Sequence, residues 1–181
     1  MSDFSILLLD KQPGLTSFRS LHEVKACHKG SKVGHTGTLD KFAGGLMIVL
    51  TGEATKLNPL FSGMDKSYRA EVELGRETDP LAPEGETVRT AELPQKAALE
   101  RALESFRGEI MQAPPAYSAI HVDGRRAYER IRKGEQIEME KRPVTVYSLT
   151  LESFSGSSCI LDAKVSKGTY IRSLARDVAE A

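Results

Sequence analysis

Apolar and polar positions alternate cleanly over residues 67–74. Tyr68, Ala70, Val72 and Leu74 fall on one side, and Arg69, Glu71 and Glu73 on the other. A period of two predicts a half-buried strand. Cys159, Leu161, Ala163 and Val165 repeat the pattern over 159–166, and a strand at about 143–154 precedes it across Ser155-Gly156-Ser157-Ser158. Residues 4–9 read as a further strand, and the apolar run 46–51 as a fully buried one. Helical spacing replaces alternation after Pro94: Leu99, Ala102, Leu103 and Phe106 lie at i, i+3, i+4 and i+7, and Gly108 stops that helix. Thr16 and Ser17 are N-caps for a helix to about Lys29, ended by Gly30, with Phe18, Leu21 and Val24 toward the core. Residues 34–40 and 75–90 read as loops. Pro114-Pro115 breaks the chain before a strand at 116–122, Asp123-Gly124 turns it, and a short basic helix ends at Gly134. Residues 170–181 are helical in pattern and stop without a cap. Strands separated by turns, with a few helices between, predict an α+β fold with a mixed, largely antiparallel sheet flanked by helices.

Composition narrows the class. A chain of 181 residues, 40% hydrophobic and 28% charged, has the size and balance of one domain with room for a sizeable core. No apolar run approaches the ~18 residues of a membrane span. No secretory signal opens the chain, and Cys27 and Cys159 make no disulfide framework, so a reducing, cytoplasmic setting is expected. Net charge is zero, which excludes a global basic field. Local fields survive: residues 67–121 carry six basic and ten acidic side chains, net −4, and the remainder is net +4. Arg125, Arg126, Arg130, Arg132 and Lys133 oppose only Glu129.

The common phosphate loops, G-x-G-x-x-G and G-x-x-x-x-G-K-[ST], are absent. Cys27, His28 and His35 lie close together, but no second pair follows at zinc-ligand spacing, so neither metal nor nucleotide cofactor is expected. What stands out is Gly34-His35-Thr36-Gly37-Thr38-Leu39-Asp40, with one imidazole, two hydroxyls and one carboxylate leading into an apolar strand. Polar loops on rigid strands are where sites tend to lie. The bland alternative is a turn capped by Asp40. A second cluster, Ser166-Lys167-Gly168-Thr169-Tyr170-Ile171-Arg172, sets an aromatic and an arginine two residues apart; an arginine near Asp40 would hold that carboxylate ionised. The third is Asp65-Lys66-Ser67-Tyr68-Arg69. Together they fit a small planar substrate stacked on rings, with a carboxylate that attacks it or abstracts a proton from it.

These segments resemble the TruB family of tRNA pseudouridine synthases. The 34–40 segment resembles its catalytic motif, and Leu8-Leu9-Asp10-Lys11 with Gly14 and Ser17 its N-terminal motif. Tyr68-Arg69, Gly75 with Thr78-Asp79, Phe106-Arg107-Gly108, Gln112-Ala113-Pro114-Pro115, Tyr117-Ser118, Arg142-Pro143-Val144 and Lys167-Gly168-Thr169-Tyr170-Ile171-Arg172 follow in order. The resemblance implies the pseudouridine synthase catalytic fold over 1–181, cut short at its C-terminal end and without a C-terminal RNA-binding domain. It implies isomerisation of uridine to pseudouridine in the T loop of tRNA, at position 55, by base flipping. Asp40 matches the catalytic aspartate, His35 the residue that enters the RNA, Tyr68 the tyrosine against the flipped uracil, Tyr170 a substrate contact, and Arg172 the arginine paired with the aspartate. Lys11 and Thr38 match supporting positions. The implied partner is the T stem-loop of tRNA, with no cofactor, metal or membrane, and the implied state is a monomer. The alternative is a weak or inactive tRNA-binding or RNA-folding module. Six positions depart from the family pattern: Gln12 and Pro13 stand in the reverse of the commonest order, Lys41 stands where Pro is usual, Gly44 where Thr is usual, Ile131 where Ala is usual, and His121 where Lys is common.

Overall fold

Strand β1 (Phe4–Lys11) pairs antiparallel with β3 (Gly45–Gly52), which pairs on its other side with β2 (Val33–His35), giving the order β1-β3-β2. The computed structural model describes residues 4–118, 120–122, 125–127, 130, 135, 137 and 139–181. They divide into two compact units, one ending at Met64 and the other beginning at Asp65. The first unit is built on this three-stranded sheet. Residues directly opposite in an antiparallel pair share a face. Leu7 opposes Val49, Leu9 opposes Met47, and His35 opposes Val49 from the other edge. Met47 and Val49 join Leu21 in an apolar cluster on which Leu7, Leu9, Val24, Val33 and Leu39 pack. The other face carries Phe4, Ile6, Leu8 and Leu46, all exposed. The expected full burial of 46–51 therefore holds for Met47 and for Val49 to Thr51, whereas Ile48 is half-buried and Leu46, opposite Asp10, is exposed.

Two further expectations for this unit are corrected. The 34–40 segment is a loop only from Thr36 onward, since Gly34 and His35 complete β2. Residues 16–29 form a 3-10 turn (Arg19–Leu21) and a short helix, α1 (His22–Cys27), rather than one continuous helix. Thr16 does cap its start, its Oγ1 accepting from the Arg19 N–H at 3.2 Å. Phe18 does not face the core and is 69% exposed. The inward stripe is Ser17, Leu21 and Val24, at i, i+4 and i+7, and a residue beside Ser17 falls about 100° round the helix. After α1, Gly52 leads into a 3-10 turn (Glu53–Leu57) and α2 (Asn58–Ser62).

The second unit is built on a four-stranded antiparallel sheet, β4-β11-β10-β7, made of β4 (Lys66–Glu73), β7 (Gly108–Gln112), β10 (Arg142–Phe154) and β11 (Ser158–Val165). Its inner face, with Cys159, Leu161, Ala163 and Val165 from β11, meets Leu99 and Leu103 of α3 (Lys96–Ser105) and Leu174 and Val178 of α4 (Ile171–Glu180). The 75–90 loop contains a hairpin, β5 (Arg76–Asp79) and β6 (Glu86–Thr90). Its exposed polar strands lack the alternation that marks a half-buried pair, and cross-strand charge holds them instead, Arg89 bonding Glu77 at 2.8 Å. β7 was likewise missed. The strand expected at 116–122 shrinks to β8 (His121–Val122), paired with β9 (Arg125–Arg126). The 123–124 turn and most of the basic helix expected before Gly134 lie outside the described residues. Every described strand pair is antiparallel, and the fold is α+β.

Candidate functional site

Asp40 sits half-buried on the loop joining β2 to β3, and that loop is held chiefly through its backbone. The buried Ser17 hydroxyl grips Leu39 on both sides, accepting from its N–H at 2.9 Å and donating to its carbonyl at 3.0 Å. Gly14 N–H donates to the Lys41 carbonyl at 2.8 Å, and Ala43 N–H to the Asp40 carbonyl at 3.1 Å. Thr36 N–H reaches back to the Ile48 carbonyl of β3 at 3.1 Å. A charge completes the cradle. Lys11, at the end of β1, is 1% exposed, and its ammonium donates to the carbonyls of Gln12, Lys41 and Ala43. Burial pulls the Lys11 ammonium below its usual range, and the Asp40 carboxylate pulls it back up. Lys11 is thus a cation bound within the turn that carries Asp40, not a surface charge. Gly44 fits because a Cβ there would meet Pro13 Cδ at 3.1 Å and the Lys11 carbonyl at 3.2 Å.

His35 is fixed at its backbone by Asn58, whose Nδ2 donates to the His35 carbonyl at 3.0 Å. Its Nδ1 is buried without a hydrogen-bond partner among the described residues. Thr38, by contrast, is exposed on the loop. The first unit therefore brings together Lys11, His35, Thr38 and Asp40, all on β1, β2 or the loop that follows.

The second unit holds Tyr68, Tyr170 and Arg172. Tyr68 opposes Ala163 across β4 and β11 and packs half-buried on the core. Tyr170 is the residue before α4, and its backbone is gripped by one buried amide. Gln112 Oε1 accepts from the Tyr170 N–H at 2.8 Å, and Gln112 Nε2 donates to its carbonyl at 3.1 Å. Gly168, at φ 79°, makes the turn from β11 into this position. Arg172 extends its two arms to the carbonyls of Pro80 (3.0 Å) and Tyr117 (3.2 Å). An open pocket of about 260 Å³ lies there, lined by Pro80, Leu81, Tyr117 and Arg176 among others.

Sequence reasoning makes Ser17 a helix N-cap, where its hydroxyl instead bonds Leu39, and gives Gln112 a motif position without a role. Their role is to grip backbone, and no spacing rule reports that. Nor did it see that Arg172 ties the β5–β6 hairpin to the 115–117 segment. Chemically, the first unit offers a carboxylate on a fixed turn beside a buried ammonium. The second offers two half-buried phenols and a guanidinium. The free thiols add nothing to either, Cys159 being buried in the core and Cys27 exposed on α1. Among the described residues no helix is long and apolar enough to cross a membrane.

Residues 25–171 match the TruB family pseudouridylate synthase (N terminal domain). The chain is 46% identical over 176 residues to the tRNA pseudouridine synthase B of Borreliella burgdorferi (strain ZS7), a match covering 96% of this chain and 62% of that protein. It is 43% identical over 194 residues to the protein of the same name from Treponema denticola, covering 96% of this chain and 54% of that one. The chain thus spans little more than half to three-fifths of the length of these relatives. In three dimensions it is similar to a chain in the crystal structure of a Cbf5-Nop10-Gar1 complex, with a TM-score of 0.72 at 26% identity, over 97% of this chain and 43% of that one. A match running from α1 into the first turn of α4, through the Asp40 loop and both tyrosine positions, places the chain in the TruB family of pseudouridylate synthases.

Proposed function

We propose that the chain isomerises uridine to pseudouridine in the T loop of tRNA, at position 55, with Asp40 as its catalytic carboxylate. The observation that carries the reading is the Asp40 turn itself, a carboxylate on backbone gripped by Ser17, Gly14 and the Lys11 ammonium. Family membership and the relatives' shared name support the substrate.

The chemistry asks for little else. The N1–C1′ bond of the nucleotide breaks, the base turns, and C5 bonds to C1′. The C5 proton leaves and N1 takes one up, so the reaction balances without a cofactor. Attack on C1′, attack on C6 and removal of the C2′ proton all use one ionised carboxylate. None is possible inside a stacked loop, so the nucleotide must flip out, at a cost of a few kcal/mol. His35 enters the space left in the RNA, Tyr68 lies against the extruded uracil, and Tyr170 contacts the substrate. Stacking on an aromatic ring contributes about 1–3 kcal/mol per base. Arg172 supplies the countercharge to Asp40, and Thr38 and Lys11 support the turn. Lys11 acts from behind, since its ammonium is spent on three carbonyls. The protein works as a cytoplasmic monomer on tRNA.

Release of tritium from [5-³H]uridine in a T-arm RNA tests the reading. The chain is expected to release it, and Asp40→Asn to abolish release while RNA binding persists. No release by the wild-type chain, under conditions where a known pseudouridine synthase turns over, would overturn it. The basic residues Arg125, Arg126, Arg130, Arg132 and Lys133 favour one second reading, RNA binding without turnover. That reading predicts equal, salt-sensitive binding by wild type and Asp40→Asn with no product from either.

A further inference from the structure

Phe18 is a large aromatic side chain that the fold leaves 69% exposed, one residue from the buried Ser17. A single exposed apolar residue needs no explanation. Two neighbouring facts change its meaning. The Lys25 ammonium, seven residues further on, sits over one face of the ring at 3.7 Å from the centroid. And Ser17, which precedes Phe18, is hydrogen-bonded to Leu39, which precedes Asp40. The ring and the candidate catalytic carboxylate therefore flank the two ends of one clamp.

Charge in the stretch of sequence that carries the ring is one-sided. Residues 16–41 carry Arg19, Lys25, Lys29, Lys32 and Lys41 against Glu23 and Asp40. Lys25 occupies one face of the ring and holds it in place. That arrangement suits a flat, electron-rich group attached to a polyanion: an unpaired base stacks on the free ring face while its phosphate meets the lysine. An acidic peptide would use the lysines and leave the ring idle.

We infer that Phe18 and Lys25 form a stacking platform for an unpaired nucleobase of the substrate RNA, on the flank of the Asp40 turn. This rests on the RNA reading proposed above and adds a second point of base recognition, separate from Tyr68 and Tyr170. The platform explains why the fold spends a phenylalanine on solvent. Its occupant is a base beside the reacting nucleotide.

The chain contains no tryptophan, so Phe18→Trp places a sole tryptophan at the platform, excited selectively at wavelengths beyond the absorption of the five tyrosines. Its emission is expected to be quenched by a T stem-loop RNA and left unchanged by a fully paired RNA duplex of equal length. Phe18→Leu keeps apolar bulk but loses the ring, and is expected to weaken stem-loop binding about 5-fold or more, whereas Phe18→Tyr stays within about 2-fold of wild type. Lys25→Gln should lower the slope of log affinity against log salt by about 0.7–0.9. Because Phe18 is exposed, the melting temperatures of these variants should match wild type. Undiminished binding by Phe18→Leu, or equal quenching by stem-loop and duplex, overturns the platform. If that happens while the chain still converts uridine, only the platform falls. A wild-type chain that binds neither RNA overturns the platform together with the RNA reading.

Discussion

Two segments of this protein carry candidate site residues on irregular backbone, and the two are held differently. The Asp40 turn is gripped by a hydroxyl on Leu39 and by a buried ammonium on three carbonyls. The Tyr170 position is gripped by a single neutral amide whose two ends take one N–H and one C=O. A buried ammonium is costly to desolvate unless its donors are used and a countercharge is near. Lys11 meets both conditions, and in doing so places a positive charge behind the carboxylate to which the proposed chemistry is assigned. Tyr170 contributes a ring, which needs position and no field, and a neutral clamp suffices. The type of clamp follows the charge of the residue it presents.

Removing each clamp tests that contrast. Lys11→Met should have the largest effect, about 3 kcal/mol on unfolding free energy, because it strips donors from several carbonyls at once. It should also cut turnover with RNA binding largely kept, which denaturant titration and tritium release read separately. Gln112→Leu should cost about 2 kcal/mol, one buried N–H and one carbonyl losing their partners. Gln112→Glu sharpens the point: it retains an acceptor for the Tyr170 N–H and loses the donor, so its cost should be smaller at pH values where the new acid is protonated. Ser17→Ala should cost only about 1 kcal/mol, since the Lys11 cradle still holds the turn. A larger loss from Ser17→Ala than from Lys11→Met would break the contrast.

The smallest effect is expected at an exposed grip between side chains. Arg69 forks onto Asp162 across β4 and β11, at 2.9 Å from Nε and 2.8 Å from Nη2. The guanidinium holds the Asp162 carboxyl below its usual range. The folded-state value lies below the unfolded one, so the contribution is complete above about pH 4 and is lost as pH falls through the folded value. Asp162→Asn should therefore unfold slightly more easily than wild type at neutral pH and identically in strong acid, as urea titrations across pH would read.

Long, strongly patterned elements were legible in the sequence. Tyr68, Ala70 and Val72 on β4, Leu99 and Leu103 on α3, and the four inward residues of β11 all lie on the faces their spacing predicts. What was hidden had little apolar pattern to show. β2 is three residues long and includes a glycine, β5 and β6 carry mostly polar side chains on their paired backbones, and β7 puts only Ile110 and Gln112 inward. Phe18 was misplaced because Leu21 and Val24 share a stripe equally well with Ser17, and hydropathy favours the phenylalanine over the serine. The structure chose Ser17 because its hydroxyl satisfies Leu39. As for the site, its residues were named through a family resemblance, while the grips of Ser17, Lys11 and Gln112 on distant backbone were invisible to any local pattern.

The tight fit at Gly44 joins two of the sequence's departures from its family. The ring of Pro13 fills the space that a side chain at 44 would claim. The Lys11 carbonyl closes the same space from the backbone side at 3.2 Å, so the strand end that buries the ammonium also keeps residue 44 without a side chain.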